Sequence, residues 1–239
     1  MGFFGTGIRQ GWHLLVTGNP YIWRLIRVTL EVTGVSTGVA VVIGVPIGLA
    51  LGLGRFRGRA ILVGIANAGL SLPPVLVGLV LFLLMFPAAP LGRFHLYFTL
   101  RAVYLAQTIL AVPIIAALTS SAVTALPGGL VEQARGFGAS RSRIWLLALR
   151  EARVGVMAAV IVAVGSSLSE VGAVVLVGGN IYGYDQTLAS GALFAVDNAD
   201  YSYAVAIAMV LLVLILLVVA ALTFLQQRGR RAQLLRSLH

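Results

Sequence analysis

The chain contains no cysteine and no lysine, and only 10% of its 239 residues are charged. Without cysteine there are no disulfides and no thiolate metal sites. Without lysine there is no phosphate-binding P-loop, which needs that residue at a fixed place, so the chain is not itself a P-loop ATPase. Its histidines are His13, His95 and His239, and none falls in a long apolar run. A histidine-activated serine nucleophile inside such a run is therefore excluded, and no catalytic residue or metal site is expected. A soluble domain would carry about 25% charged residues.

What is present is apolar sequence: 59% of residues are hydrophobic and the mean hydropathy is +1.01. The runs are long enough to cross a bilayer, which takes roughly 20 residues as a helix. The expectation is an all-α polytopic membrane protein with five transmembrane helices, over about 30–54, 61–86, 102–126, 154–178 and 203–225. Met1 to Pro20 lacks the compact apolar core and small-residue cleavage site of a signal peptide. Phe4, Ile8, Trp12 and Leu15 share one helical face there, with Arg9, Gln10 and His13 elsewhere. That pattern reads as an amphipathic helix lying on the bilayer surface within residues 1–27, the alternative being a frayed tail. A transmembrane region follows over 28–226, interrupted by a charged loop at 127–153, and a basic tail occupies 227–239.

Every one of the 17 basic residues is arginine. Twelve fall in alternate connections: Arg55, Arg57, Arg59, Arg135, Arg141, Arg143, Arg150, Arg153, Arg228, Arg230, Arg231 and Arg236. The opposite side holds Arg9, Arg24, Arg27, Arg93 and Arg101. The arginine-rich side is expected to be cytoplasmic, which puts the N-terminus outside and the C-terminus inside. The net charge of +10 suits such loops better than nucleic-acid binding.

Pro46, Pro73, Pro74 and Pro113 punctuate the spans as expected kinks, because the carbonyls they free must find partners beside a cavity or a neighbouring helix. Gly34 and Gly38, then Gly44, Gly48 and Gly52, recur at helical spacing and are expected to let helices approach closely. The connection 179–202 is acidic, with Asp185, Asp197 and Asp200, and its apolar middle, Thr187 to Val196, reads as a short re-entrant or surface helix.

The loop after the third span divides cleanly. Pro127-Gly128-Gly129 closes the span, and Leu130 to Gly136 spans about two helical turns, with Glu132 in the first turn where the helix dipole favours it. Gly138 is placed to stop the helix in the left-handed conformation. Ser140 is placed to cap the next helix. A short helix held between two breaks is a rigid knob, and small Ala134 and Gly138 leave room for a partner surface.

Glu132-Gln133-Ala134 with Gly138 four residues on resembles the Glu-Ala-Ala-x-x-x-Gly loop of ABC importer permeases. Arg55-Phe56-Arg57-Gly58-Arg59 followed by Ser71-Leu72-Pro73-Pro74-Val75 is similar to the first cytoplasmic loop and second span of molybdate-type permeases. Ser169-Glu170-Val171-Gly172-Ala173 through Asn180-Ile181 is similar to the fourth span of tungstate permeases. Where the family pattern closes with Ile-x-Leu-Pro this chain has Ala148-Leu149-Arg150-Glu151, and the run Leu149-Arg150-Glu151-Ala152-Arg153 resembles the tungstate branch. The resemblance implies the molybdate/methionine-type permease fold. It also implies a coupling helix, with Glu132, Gln133, Ala134, Arg135, Gly136, Gly138, Ala139 and Ser140 contacting a separate ATPase subunit that binds ATP and magnesium. No cofactor would be bound by the chain itself. The implied partners are a second copy of the chain, two ATPase subunits inside, an anion-binding protein outside and membrane lipid, in the cell (inner) membrane, with tungstate favoured over molybdate, sulfate or phosphate as cargo; an ATP-independent secondary transporter is the alternative.

In the fourth span Ser166, Ser169, Glu170 and Ala173 are expected on one helical face, beside Ser167. An ionised carboxylate there costs about 2.5–3.5 kcal/mol on insertion scales, so Glu170 must face a cavity or a hydrogen-bonding partner. One reading puts this face on the translocation path and its gate; the other has Glu170 held by serines or backbone groups to fix helix register. Serine hydroxyls and the Asn180 amide offer neutral hydrogen bonds to a passing oxyanion. Arg93 and Arg101 either attract an anion or anchor the chain at the interface.

Overall fold

A computed structural model describes residues 3–236, with the side chains of 3, 4, 14, 15 and 228–236 excepted. The basic tail at 227–239 thus lies almost wholly outside the described side chains. The described residues are helical, without strands: α1 (Phe3–Val16), α2 (Pro20–Leu53), α3 (Arg59–Gly69), α4 (Pro74–Met85), a 3-10 turn (Gly92–Phe94), α5 (Leu100–Thr124), α6 (Leu130–Gly136), α7 (Arg141–Glu151), α8 (Arg153–Leu168), α9 (Gly172–Gly178), α10 (Leu188–Asp197) and α11 (Tyr201–Arg236).

Three helices are long and apolar enough to cross a membrane, Pro20–Leu53, Leu100–Thr124 and Tyr201–Gln227, or up to five if each of two bent pairs is one span. The pairs are α3 with α4 and α8 with α9. The runs expected as the second and fourth spans are therefore broken, the second at the Pro73–Pro74 pair named as a kink. At the first break, Pro73 and Pro74 supply no N–H, and proline disfavours the helical conformation of the residue before it. Pro74 becomes the first residue of α4, where a missing N–H costs nothing. By contrast, the helices run unbroken past Pro46 and Pro113.

Contacts divide the chain into two compact units. The first comprises the chain through Thr37, Leu72–Leu110 and Val164–Val219. Its core has two parts. Val32, Met85, Val103, Val174 and Val177 join α2, α4, α5 and α9. Ile22, Leu25, Leu188 and Ile207 join α2, α10 and α11. The apolar middle of the 179–202 connection is α10, opened by Thr187, whose hydroxyl accepts the Ser190 amide at 3.2 Å. Helix α1 lies against α11: a Cβ on Gly7 would sit 2.4 Å from Val205 Cγ1, and one on Gly11 3.0 Å from the Ala206 carbonyl. Ile8 and Trp12 are exposed, while Phe4 and Leu15 fall outside the described side chains.

The second unit comprises Gly38–Ser71, Ala111–Ala163 and the chain from Ala220 on. Here α2 and α5 meet along a glycine ridge. A Cβ on Gly44, Gly48 or Gly52 would come within 3.0, 2.6 and 2.6 Å of Ile115, Thr119 and Val123 respectively. Four-residue spacing on both helices brings their backbones together, as small residues do in lipid. Gly34 and Gly38 do not share this role: nothing lies within 4 Å of a Cβ built on either. Gln226 Nε2 donates to the Val154 carbonyl at 2.7 Å, tying α11 to α8.

Candidate functional site

The charged loop is built by its glycines. Gly129, at φ +92°, turns the chain into α6, and Gln133 N–H donates back to its carbonyl at 2.7 Å. At the other end Gly138 stands at φ +76°. Its N–H donates to the Arg135 carbonyl at 2.9 Å, and the Ala139 N–H donates to the Ala134 carbonyl at 3.0 Å. This pair of bonds closes a helix whose last carbonyls would otherwise be unpaired. Helix α6 buries none of its residues. Ser140 precedes α7 as expected, but its hydroxyl makes no capping bond and faces the Ser142 hydroxyl at 3.1 Å instead.

Glu132 Oε1 accepts a hydrogen bond from Arg55 Nη2 at 2.6 Å, joining α6 to the loop between α2 and α3. The carboxyl is held below its usual range first by its own backbone N–H, then by the charges of Arg55 and Arg135. Arg59 braces the same corner, donating from Nε to the Leu51 carbonyl at 2.6 Å and from Nη2 to Thr124 at 3.4 Å. A cavity of about 280 Å³ opens here, lined by Arg55, Arg59, Thr124, Gly129, Glu132 and Arg135 among others. Phe137, not singled out from the sequence, stands 91% exposed between α6 and Gly138. Aromatic side chains are enriched among the residues that dominate protein–protein interfaces.

The serines do not share the face expected of them. Helix α8 stops at Leu168 and α9 starts at Gly172, so Ser166, Ser169, Glu170 and Ala173 are not in register on one helix. The polar side chains account for the break. Ser169 donates back to the carbonyls of Gly165 and Ser166, at 3.0 and 3.2 Å. Glu170 reaches forward to accept the Ala173 N–H at 2.9 Å, at the start of α9. Ser166 is exposed and Ala173 fully buried, against Gly78.

Ser167 turns inward instead. Its hydroxyl bonds Gln107 Oε1 and Thr33, the latter at 3.4 Å, while Gln107 Nε2 donates to the Ser167 carbonyl at 3.3 Å. Gln107, Thr29, Thr33 and Ser36 are all buried, forming with Tyr104 and Thr108 a polar seam along α2 and α5. Thr29, Thr33 and Ser36 stand at i, i+4 and i+7, a helical spacing that was open to reading in the sequence.

Asn180 is remote in role from the serines. It adopts φ +53°, its carbonyl accepts Gln186 Nε2 at 3.3 Å, and its side-chain oxygen is buried without a partner. Gln186 in turn accepts the Tyr21 hydroxyl at 2.7 Å. Asp185, read from the sequence only as part of an acidic connection, is 1% exposed: one oxygen accepts the Ile181 N–H at 2.6 Å and the other has no partner. Burial pushes its carboxyl up to about 6, against the lowering pull of that backbone bond.

Residues 44–231 match the model of the binding-protein-dependent transport system inner membrane component family, a stretch that contains α3 to α10 and the whole charged loop. The chain belongs to that family. It is a membrane permease. A tungstate uptake permease, TupB of Peptoclostridium acidaminophilum, is 28% identical over 95% of this chain and 100% of its own length. TupB of Campylobacter jejuni is 33% identical, covering 83% of each chain. A probable anion ABC transporter permease of Haloferax volcanii is 42% identical over 55% of this chain, a match that spans 57% of that relative. Among solved structures, an inward-facing MetNI methionine ABC transporter superposes with a TM-score of 0.64 at 25% identity, covering 90% of this chain and 98% of its own. The fold expected from the sequence is thus of the right kind at the level of an all-helical ABC permease.

Proposed function

We propose that the chain is the membrane subunit of an ATP-driven importer for a tetrahedral oxyanion, tungstate before molybdate. The observation that carries this reading is the α6 knob, glycine-bounded at both ends and with none of its residues buried, in a chain with tungstate permeases among its relatives along most of its length. Each bent pair is counted as one span, giving five, with the arginine-rich connections and α6 inside. Two copies related by a twofold axis present two knobs to two ATPase subunits, since closed twofold assemblies are the commonest. ATP binding draws the knobs together and turns the pathway outward; hydrolysis resets it. An external binding protein delivers the anion and chooses among similar ones. Molybdate stays the second reading because ModB of Escherichia coli is also similar, at 25% identity over 70% of this chain.

The polar residues serve this cycle without chemistry of their own. Glu170 is engaged with a backbone amide at the hinge between α8 and α9, which suits a register or gating element better than an anion ligand, because a carboxylate repels a dianion. The test is uptake of labelled tungstate by vesicles holding the permease, its ATPase and the binding protein. Uptake requiring ATP and all three components supports the reading. Uptake by the permease alone overturns it.

A further inference from the structure

In the first unit, the start of α5 and the loop carrying Tyr184 border an open surface hollow of about 400 Å³, lined by His95, Thr99, Leu100, Arg101, Tyr104 and Tyr184, of which His95, Arg101 and Tyr184 are exposed. Five of the six carry an N–H or O–H group, and no carboxylate lines the wall. Two of these five donor groups are committed to the wall itself. Thr99 donates to the Leu96 carbonyl at 2.7 Å, and Tyr104 donates to Glu31 Oε1 at 2.6 Å. The remaining three are not. Among the described residues Arg101 pairs with no carboxylate, and neither the Tyr184 hydroxyl nor the His95 ring has a hydrogen-bond partner. Arg93 differs, its guanidinium lying 4.8 Å over the Phe94 ring. His95 itself is held at φ +49°, closing the 3-10 turn. That left-handed conformation is uncommon for a residue with a side chain, and such strain gathers at functional positions.

We propose that this hollow binds a tetrahedral oxyanion, with Arg101 as its charge partner and the Tyr184 hydroxyl and His95 ring as hydrogen-bond donors. A guanidinium matches two oxygens of such an anion at once, and neutral donors complete its shell without a second full charge. Glu31 stands one hydrogen bond behind the wall and keeps the net attraction modest, as a transit site requires if cargo is to leave again. In the orientation proposed above the hollow faces the outer side, before the pathway. The choice of free cargo as occupant rests on that transport reading. A lipid phosphate headgroup has the same chemistry and would seat on the same three residues.

The test is equilibrium binding of labelled tungstate to the full chain in nanodiscs, with thermal unfolding checking that each variant is folded. In zwitterionic lipid, wild type should bind saturably, and R101Q should bind about tenfold more weakly, the scale of a lost charged hydrogen bond. Y184F should bind more weakly by a smaller factor. R101K should restore part of the affinity, and R27Q, outside the hollow, should match wild type. Adding phosphatidylglycerol separates the sources: suppressed tungstate binding in wild type but not in R101Q assigns the site to lipid phosphate, and unchanged binding assigns it to free anion. Saturable binding that R101Q leaves intact, or no binding under any lipid condition, overturns the site. Failure of ATP-dependent uptake with intact binding would count against the transport reading alone.

Discussion

Arg55 and Glu132, 77 positions apart, meet at 2.6 Å across the corner where the α2–α3 loop touches α6. Both side chains are well exposed, at 78% and 49%. In this position the acidic residue of the loop is turned toward its own chain, so the bridge steadies the knob and leaves the surface beyond it to a partner. Exposed pairs of this kind add little to global stability. R55Q and E132Q are therefore expected to unfold at the wild-type temperature yet to lower transport-coupled ATPase turnover several-fold in the reconstituted complex, with high salt reproducing the loss in wild type. The carboxyl is held below its usual range, so the bridge persists above that range and is lost as pH falls through the lowered value. Turnover unaffected by either substitution would remove the brace from the mechanism.

Phe137 offers a cleaner probe of docking than the glycines beside it. Replacing Gly138, at φ +76°, strains the helix stop by about 1 kcal/mol whatever the partner does. Phe137 is 91% exposed, so F137A removes nothing from the fold. It should keep the wild-type melting temperature and weaken ATPase association by about tenfold or more, as loss of an aromatic anchor does. Co-purification of the ATPase at full stoichiometry and affinity with F137A would exclude the ring from the interface.

Of the three ridge glycines Gly48 comes nearest to the α5 backbone: an added Cβ would lie 2.6 Å from Thr119 Cβ and 2.7 Å from the Ala116 carbonyl. Backbone cannot yield as a side-chain tip can, so G48V is expected to destabilise by about 1–3 kcal/mol. Gly34 has open space around it, and G34A should stay within about 0.5 kcal/mol of wild type or gain stability through helix propensity. Thermal unfolding in detergent compares the two, and equal effects would refute the ridge.

Much of this architecture was readable beforehand. Hydropathy located the apolar segments, because burying backbone in lipid demands long helices. The Gly129 and Gly138 breaks delimited α6 to the residue, since few conformations other than left-handed ones end a helix that way. Pattern reading failed where polar side chains compete with the helix. Ser169 and Glu170 bond backbone groups and interrupt what hydropathy presents as one span. Gly34 and Gly44 look alike in sequence, but only the latter has a helix against it. Partners hundreds of atoms away along the chain, such as Gln107 for Ser167, leave no local trace.

Asp185 supplies a pH signature. One oxygen holds the Ile181 N–H at 2.6 Å, while the other lies buried without a donor, a geometry that suits the protonated acid. Its carboxyl is raised from 3.8 to about 6 by burial. The folded state therefore binds the proton more tightly than the unfolded chain, and the slope of stability with pH is negative between those two values. Stability from this group is complete below the unfolded value, declines as pH rises through about 6, and is absent above it. D185N keeps the accepting oxygen and removes the charge. It should melt higher than wild type at pH 8, with the gap closing toward pH 4 as wild type becomes protonated. Unfolding curves recorded across that range decide the matter: a D185N protein that melts lower than wild type at pH 8 means the ionised carboxylate has a partner and is favoured in the fold.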